Sequence, residues 1–320
     1  MPSRPISSDR SIRLALPATS ANLGPAFDTA ALAMDFYIRL HAERAPDFFI
    51  TAEGRDAHLC RRMEDNLILT TYREVLESEN RKVVPLSIHI ENEIPIGRGC
   101  GSSASARLAG IALAVHYGHL RWKADRIVGE ASMREHHPDN ASACWMGGIT
   151  VARMANQVQA QIVEVKPKGH WPLLIAVPDT ALSTEQARRA LPFQYARTDA
   201  VTNIQNSMML LSAFVYGRLD LFPAVLEDRI HQPYRAPFSP LLPAIKELTG
   251  ESGILGATLS GSGPGVLVFL DPKANPKRAK QRIATHLAKR RLPAELLLTS
   301  IATSGGRAGA DWRKKHPSLS

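Results

Sequence analysis

The sequence predicts an α+β protein built from two halves. Strands and a few helices fill the first half, four helical stretches follow Pro178, and a β-turn-β-α-β run closes the chain. This change in character predicts a boundary between Lys166 and Trp171. The predicted domains are therefore residues 1–168 and 169–320.

Length and composition are those of an ordinary globular protein. The chain has 320 residues, which is enough for two domains, with 44% hydrophobic and 22% charged residues. No apolar run approaches the roughly 20 residues of a membrane span, and the N-terminus lacks the apolar core of a signal peptide. Cys60, Cys100 and Cys144 lie far apart with no C-x-x-C pair. We therefore expect a reducing cytoplasm, without disulfides or a zinc site.

The net charge of +9 leaves a nucleic-acid surface open as an alternative. Much of the excess lies in residues 273–292 and in the C-terminal tail "DWRKKHPSLS". The first segment predicts an amphipathic helix with a solvated basic face and an apolar stripe of Ile283, Ala284, Leu287 and Ala288. The tail is predicted to be disordered.

The first half contains strand-like and helical patterns in succession. Two strand-like segments, "SIRLALPATSANLG" and "AALAMDFYIRLHAE", come first. "DNLILTTYREVLESEN" predicts a helix with Asp65 or Asn66 as its cap. "PLSIHIENEIP" alternates apolar and polar residues, which predicts a strand leading into a glycine-rich loop. An apolar, buried helix to about Tyr117 and a second helix, "KADRIVGEASMRE", follow that loop.

The remaining elements complete the α+β pattern. "HHPDNASACWMGG" contains a predicted cap at Asp139 or Asn140 and precedes the strands "GITVARMA", "QAQIVEV" and "PLLIAVP". The four helical stretches lie near residues 184–191, 198–216, 219–232 and 239–251. Strands "GILGATLS" and "GVLVFLD" flank the turn "GSGP", and "AELLLTSIA" is the last strand after the basic helix.

The glycine-rich loop in "IPIGRGCGSSASARLAGIALA", Ile94 to Ala114, predicts an anion site. Glycines let backbone N–H groups turn toward one point, and the helix N-terminus adds its positive dipole end. Ser102 and Ser103 can cap the helix, or one hydroxyl can face a phosphate-bound Mg²⁺. The dinucleotide fingerprint fails at Ser102, and no Gly-Lys pair of the common triphosphate loop is present. A purely structural turn is the alternative.

Two further segments join this loop in a family resemblance. "LPATSANLGPAFDTAALAMDFY", the glycine loop and "ATLSGSGPGVLVF" resemble the three motifs of the galactokinase–homoserine–mevalonate–phosphomevalonate (GHMP) kinases, in the same order. "PATSANLGPAFD", "HPDN", "LSTEQARRALP" and "DRIHQPYRAP" are similar to segments of homoserine kinases. The resemblance runs from about Ile12 to about Thr303. It implies a two-domain GHMP-kinase-type fold: an N-terminal ATP-binding domain with a left-handed β-α-β crossover and a C-terminal ferredoxin-like domain.

The activity that this resemblance implies is phosphoryl transfer. The γ-phosphoryl of ATP would pass to the side-chain hydroxyl of L-homoserine, with Mg²⁺ as cofactor, on the route to threonine. The phosphate-binding residues would be Pro95, Ile96, Gly97, Arg98, Gly99, Cys100, Gly101, Ser102, Ser103, Ala104 and Ser105. Family habit favours a homodimer, and no nucleic-acid or membrane partner is expected.

The resemblance also assigns the other site residues. Ser103 and Glu130 match the metal-binding pair, and Asn140 joins them as a catalytic residue that orients the hydroxyl. Substrate binding falls to Asn22, Asp28, His137, Asn140, Arg188 and Arg235. Asp28 would receive the ammonium and the two arginines the carboxylate. Arg189 and Arg229 are predicted to be surface residues. A closing loop would comprise Ser260, Gly261, Ser262 and Gly263, with a simple β-turn as the alternative.

Three departures from the family pattern bear on the acceptor. Ala26 replaces a common glycine, Cys100 a common leucine, and "DNASAC" replaces "DNVAPA". Altered residues after Asn140 can reshape the substrate pocket. A sister kinase acting on threonine, mevalonate or shikimate is therefore the first alternative, and a basic nucleic-acid-binding protein is the second.

Overall fold

Two β-sheets organise the chain, and the change from one to the other falls between Val165 and Pro172. The computed structural model describes residues 11–308 and Trp312. The first sheet has six strands: β1 (Ser11–Ala21), β2 (Ala30–Arg44), β3 (Phe49–Gly54), β4 (Leu86–Asn92), β5 (Ile149–Met154) and β6 (Ala160–Val165). Antiparallel β1 runs along one side of β2, and antiparallel β4 and β5 share the other. The division into domains 1–168 and 169–320 stays a prediction.

A β-α-β crossover joins β3 to β4. The two strands pair in parallel, so the chain between them crosses over through α1 (Ala57–Cys60) and α2 (Leu67–Ser78). Asn66 is the N-cap of α2, as predicted, and its side chain accepts hydrogen bonds from two backbone N–H groups. The sequence pattern did not predict β3, because this edge strand is short and mostly exposed. The hand of the crossover stays a prediction.

Three helices continue the first half. They are α3 (Ser102–Tyr117), α4 (Ala124–Glu135) and α5 (Asp139–Met146). The predicted burial of α3 is confirmed, since nearly all of its residues from Ala104 onward are buried. This apolar helix packs against α2, α4 and β1. The start of α3 is thereby fixed at the end of the glycine loop.

The second sheet has the strand order β10-β7-β9-β8, with every neighbouring pair antiparallel. Its strands are β7 (Pro172–Pro178), β8 (Ile254–Leu259), β9 (Val266–Leu270) and β10 (Ala294–Ser300). Helices α6 (Thr184–Arg189), α7 (Arg197–Tyr216), α8 (Phe222–Val225), α9 (Gln232–Arg235) and α10 (Leu241–Lys246) lie between β7 and β8, and α11 (Pro276–Lys289) lies between β9 and β10. This β-α-β-β-α-β succession confirms the ferredoxin-like expectation.

The two halves share one core. Met34 of β2 forms a bridge with Ile301, just after β10, and the larger buried cluster includes residues of both sheets. The predicted disorder of the tail is wrong at Trp312, which is fully buried with its ring 4.9 Å from that of Trp145. The rest of the tail, residues 309–311 and 313–320, lies outside the described residues. Both halves are thus held in one arrangement around the site.

Candidate active site

The glycine loop has the backbone conformation that the sequence predicts. Gly97, Gly99 and Gly101 all have positive φ, of 71°, 79° and 70°, a region that other residues rarely adopt. A Cβ atom at Gly99 would overlap the backbone oxygen of Ser260, and one at Gly101 would overlap Thr19 Oγ1. The glycines are therefore required both for the turn and for the close approach of its neighbours.

The two serines after the loop do not cap α3, contrary to one of the predicted roles. Gly101 occupies the N-cap position, and within the described part of the chain this helix start has no side-chain cap hydrogen bond. Ser102 and Ser103 are instead the first two helical residues, and the Ser103 hydroxyl donates to Glu135 Oε1 at 2.6 Å. The uncapped helix N-terminus leaves backbone N–H donors for an anion.

The predicted Ser103–Glu130 pair is not formed. Glu130 is 3% exposed and its carboxylate forms ion pairs with Arg134 at 2.5 Å and Arg126 at 3.1 Å. The carboxylate at Ser103 belongs to Glu135, which also accepts from Arg107 Nε at 2.6 Å. Glu130 is therefore part of a buried charge cluster, and Glu135 is the acidic residue at the mouth of the glycine loop.

The third motif closes against the other two. Ser260 Oγ donates to the backbone oxygen of Gly99 at 2.6 Å. Gly261 donates its N–H to Ala21 at 3.2 Å and accepts from Asn22 Nδ2 at 2.9 Å. The three motifs, which are far apart in sequence, thus meet at one place. Gly261 and Ser262 line the resulting cavity.

Asp28 and Arg188, two predicted substrate residues, face each other directly. The two terminal guanidinium nitrogens of Arg188, Nη1 and Nη2, donate to the Asp28 carboxylate at 3.0 Å. Asp28 has a positive φ of 52°, and its N–H donates to Asn22 Oδ1 at 2.9 Å. The two side chains are 28% and 37% exposed, so solvent screens the pair and separating them costs little. A zwitterion can therefore replace each partner with its own opposite charge.

Arg235 is the most deeply buried cation of this site, with 2% of its surface exposed. It donates to the backbone oxygen of Ala187 at 3.2 Å and lies 3.3 Å from His231 Nδ1. In the part of the chain that the structure describes, no carboxylate forms an ion pair with it. Burial lowers its pKa to about 10, which leaves it charged near neutrality. Such a cation favours an anionic ligand.

Phe27 packs between the two arginines and a buried histidine. Its ring centroid lies 5.6 Å from the Arg188 guanidinium and 5.3 Å from that of Arg235, within cation–π range. The His231 ring stacks on it at 5.3 Å. Burial lowers the pKa of His231 to about 4. The neutral ring can then donate from Nε2 to Gly24 at 2.8 Å and accept from Arg235 at Nδ1.

The segment from His137 to Asn140 forms the opposite wall. His137 Nδ1 and the N–H of Asn140 both lie 2.6 Å from Asp139 Oδ1. Burial alone would lower the pKa of His137, but the charge and hydrogen bond of Asp139 outweigh it and raise the pKa above its ordinary value. Thr19 Oγ1 donates to Asn140 Oδ1 at 2.7 Å. The amide nitrogen of Asn140 is therefore the group left to donate to a ligand.

These groups surround one polar cavity. Its wall includes predicted residues from every motif: Asn22, Asp28, Gly97, Gly99, Gly101, Ser102, Ser103, Ala104, His137, Asn140, Arg188, Arg235, Gly261 and Ser262. A neighbouring cavity has a largely apolar wall that includes Ile38, Leu59, Ile68, Ile90 and Ile96. Gly97, Ser102 and Ser103 border both cavities. The glycine loop thus separates a polar cavity from an apolar one.

Some predicted residues lie outside the polar cavity. Pro95, Ile96, Arg98, Cys100, Ser105, Ser260 and Gly263 are not among its lining residues, and neither is Glu130. Arg189 and Arg229 are surface residues, as predicted, with side chains 76% and 51% exposed. Thr19, Phe27, Glu135 and His231 were not assigned roles from the sequence. Thr19 and Phe27 at least lie inside the first motif.

None of the three departures from the family pattern lies in the wall of the polar cavity. Ala26 is buried without a positive φ, so its methyl group causes no strain there. Cys100 is buried and does not line the polar cavity. Ser142 forms a hydrogen bond with Thr150 in the interior, 2.7 Å away. Residues 141–143 are buried and likewise absent from the wall.

Comparison with known proteins gives a consistent result. The family model of the GHMP kinases N terminal domain matches residues 66–148, and that of the GHMP kinases C terminal domain matches residues 210–289. The homoserine kinase of Solibacter usitatus is 41% identical over 258 residues, which are 81% of this chain and 84% of that protein. The homoserine kinase of Synechococcus sp. is 33% identical, covering 92% of this chain and 96% of the relative.

Solved structures extend the likeness to the fold. A putative homoserine kinase from Listeria monocytogenes has a TM-score of 0.73 at 27% identity, covering 92% of this chain and 97% of that one. The homoserine kinase of Cytophaga hutchinsonii has a TM-score of 0.78 at 22% identity, with 95% and 98% covered. No helix in residues 11–308 combines the length and apolar character that a membrane crossing needs. With near full-length relatives above 30% identity and all three motifs meeting at one cavity, this chain belongs to the homoserine kinase family of the GHMP kinases.

Proposed function

We propose that this protein transfers the γ-phosphoryl group of ATP to the side-chain hydroxyl of L-homoserine. One observation carries the proposal: the glycine loop and the Asp28–Arg188–Arg235 group line the same cavity. This shared cavity supports a phosphate site beside a site for a small zwitterion. Phosphoryl transfer needs such positioning of its two substrates more than it needs covalent chemistry from the protein.

The nucleotide would occupy both cavities. The apolar cavity can take the purine and ribose, and the triphosphate would then pass Gly97, Ser102 and Ser103 into the polar cavity. Backbone N–H groups of the loop and of the first turn of α3 would bind the phosphates. In this proposal the wall of the apolar cavity would contact the purine base, for which the sequence patterns offer no residues.

The amino acid would bind across the Asp28–Arg188 pair. Its ammonium would contact Asp28 and its carboxylate Arg188 and the buried Arg235, so the binding exchanges one ion pair for a larger network. The geometry favours a zwitterion over mevalonate or shikimate, which carry a carboxylate and no ammonium.

Ser103 and Glu135 are the residues that fit Mg²⁺. A hydroxyl and a carboxylate oxygen 2.6 Å apart at the phosphate loop are the hard donors that this ion prefers. Bound there with ATP, the ion would neutralise charge on the β- and γ-phosphates. Arg107 also contacts Glu135 and holds the carboxylate in place.

No side chain is required as a base. The homoserine oxygen forms a bond to the γ-phosphorus, the bond from that phosphorus to the bridging oxygen breaks, and ADP leaves. Asn140 cannot accept the hydroxyl proton, and in this proposal the proton passes to a γ-phosphoryl oxygen. Thr19 fixes the Asn140 amide so that its nitrogen can orient the attacking hydroxyl or a phosphoryl oxygen.

A substrate panel tests the assignment. ADP release should be fastest with L-homoserine, well above L-threonine, mevalonate and shikimate at equal concentration. Preference for threonine or mevalonate would identify a sister kinase. ATP binding without turnover of any of these alcohols would exclude all four as substrates.

We also propose a cytoplasmic location, which the free and buried state of all three cysteines supports.

Gly101→Ala should lower kcat/KM by on the order of 10²-fold. The new methyl group would displace Thr19 and release Asn140, and a misplacement of about 1 Å at a reacting group costs about this much. Gly148→Ala is the matched control, since Gly148 has φ of 69° but a Cβ atom added there would have nothing within 4 Å. The two glycines have nearly the same positive φ, of 70° and 69°, so alanine meets a similar φ penalty at both positions. Equal activities in the two would show that the loop is only a turn.

A further inference from the structure

His231 is a buried polar residue next to the proposed carboxylate site, and the sequence assigned it no role. It is the residue before α9, the short helix that ends at Arg235. None of its surface is exposed, and it lies outside the walls of both cavities. A polar ring buried in this way needs hydrogen-bond partners for its nitrogens, because an unpaired polar group in the interior is costly. The partners of His231 therefore indicate what it does.

These partners determine which ring nitrogen carries the proton. Nε2 lies 2.8 Å from the backbone oxygen of Gly24, an atom that can only accept a hydrogen bond. Nδ1 lies 3.3 Å from Arg235 Nη1, which can only donate one. Both contacts are hydrogen bonds in a single state of the ring, the neutral form protonated at Nε2. Burial, which lowers the pKa of His231 to about 4, favours the same neutral form.

The contacts of Arg235 fix its guanidinium group and leave one nitrogen for a ligand. Nε donates to the backbone oxygen of Ala187 at 3.2 Å, and Nη1 donates to His231. The Phe27 ring centroid lies 5.3 Å from the guanidinium carbon. Among the residues that the structure describes, none accepts a hydrogen bond from Nη2. Because Arg235 lines the polar cavity, Nη2 is the group that can donate to a ligand there.

A buried carboxylate close to the ring is already engaged elsewhere. Asp228 Oδ2 lies 3.5 Å from His231 Nε2. The oxygens of Asp228 accept from the backbone N–H groups of Ile230, His231 and Gln232 at 3.0, 2.9 and 2.5 Å. The acceptor that Arg235 contacts is therefore a neutral nitrogen, which orients the guanidinium without cancelling its charge. The cation stays available for an anionic ligand.

We infer that His231 is a positioning residue for acceptor specificity. By accepting a hydrogen bond from Arg235 at Nδ1, it directs Nη2 of that arginine toward the carboxylate of the amino acid. The identity of this ligand rests on the proposed function, whereas the hydrogen bond does not. Through Gly24 the ring also contacts the turn that carries Asp28. His231 thus holds the residue proposed for the ammonium and the residue proposed for the carboxylate in one arrangement.

Two substitutions of nearly equal size separate this role from a purely structural one. His231→Asn and His231→Leu both remove the ring and its stacking on Phe27, but only asparagine keeps an acceptor near the position of Nδ1. The ratio of kcat/KM for L-homoserine to kcat/KM for 3-aminopropan-1-ol should fall at least ~10-fold in His231→Leu. In His231→Asn it should stay close to that of the parent. A ratio that is unchanged in both variants, or that falls equally in both, would overturn the inference.

Nitrogen-15 NMR of the parent protein tests the hydrogen bond without a substrate or a variant. With the ring of His231 assigned through its backbone resonances, the two nitrogen shifts at pH 7 should be those of the neutral Nε2–H tautomer. A charged ring or the Nδ1–H tautomer would overturn the inference and leave the proposed function standing. A parent protein that does not phosphorylate homoserine would refute the proposed function instead, and the NMR result would still decide whether His231 holds Arg235.

Discussion

Glu135→Gln is expected to lower kcat by about 10²-fold or more while the protein remains folded and still binds nucleotide. Glu135 is the carboxylate beside Ser103 at the phosphate loop, and the amide would be a much weaker ligand for Mg²⁺. Losing several kcal/mol of charge stabilisation in the transition state corresponds to a loss of this size, since about 1.4 kcal/mol is tenfold. The Mg²⁺ concentration for half-maximal rate should rise in parallel. Steady-state kinetics over a Mg²⁺ series measures both quantities.

Glu130→Gln is the control, and it should behave in the opposite way. Its carboxylate is buried between Arg126 and Arg134, so the change weakens charged hydrogen bonds worth about 1.5–3 kcal/mol. The melting temperature should fall while kcat and the Mg²⁺ requirement stay near those of the parent. Full activity in Glu135→Gln together with loss of Mg²⁺-dependent turnover in Glu130→Gln would reverse the assignment.

The carboxylate beside Ser103 is that of Glu135 and not that of the predicted Glu130. This difference shows where prediction from the sequence ends. Both residues lie on α4, five positions apart, so their side chains project about 140° apart around the helix axis. A carboxylate on a helix near the loop was predictable, but which one faces the loop depends on the rotation of that helix. One signal was present in the sequence. Arginines four residues before and after Glu130 are at ion-pairing distance on a helix, and they mark it as already paired.

The glycine loop, in contrast, could be predicted because its information is local. A strand, glycines with positive φ and an apolar helix follow each other within one short stretch, and glycine is the residue that adopts a positive φ most readily. The apolar cavity could not be predicted in this way. Its wall combines β2, α1, α2 and β4, and each of these contributes side chains that resemble any other core residue. Only the packing of the crossover against α3 brings them together.

Removing the carboxylate of the acceptor should have the other large effect. We expect 3-aminopropan-1-ol to react on the order of 10²–10⁴-fold less efficiently than L-homoserine in kcat/KM, because each hydrogen bond to a charged group is worth roughly 1.5–3 kcal/mol. The amine would leave the buried Arg235 without an anionic partner and Arg188 still on Asp28. Steady-state assays with both alcohols at saturating ATP measure the ratio.

Substituting the arginines should lower the ratio of kcat/KM for L-homoserine to kcat/KM for 3-aminopropan-1-ol, because the substitution slows the reaction of homoserine. Arg235→Leu should lower kcat/KM for homoserine by most of the same factor and barely change kcat/KM for the amine. Leucine removes the group that binds the carboxylate. Arg188→Leu should also lower kcat/KM for homoserine, but by a smaller factor, since this side chain is 37% exposed and solvent screens its charge. Arg189→Leu, one position along and 76% exposed, should leave both substrates unchanged. The KM for ATP should stay constant throughout. Equal losses for homoserine and the amine would instead assign the arginines to the triphosphate, because that ligand is common to both reactions.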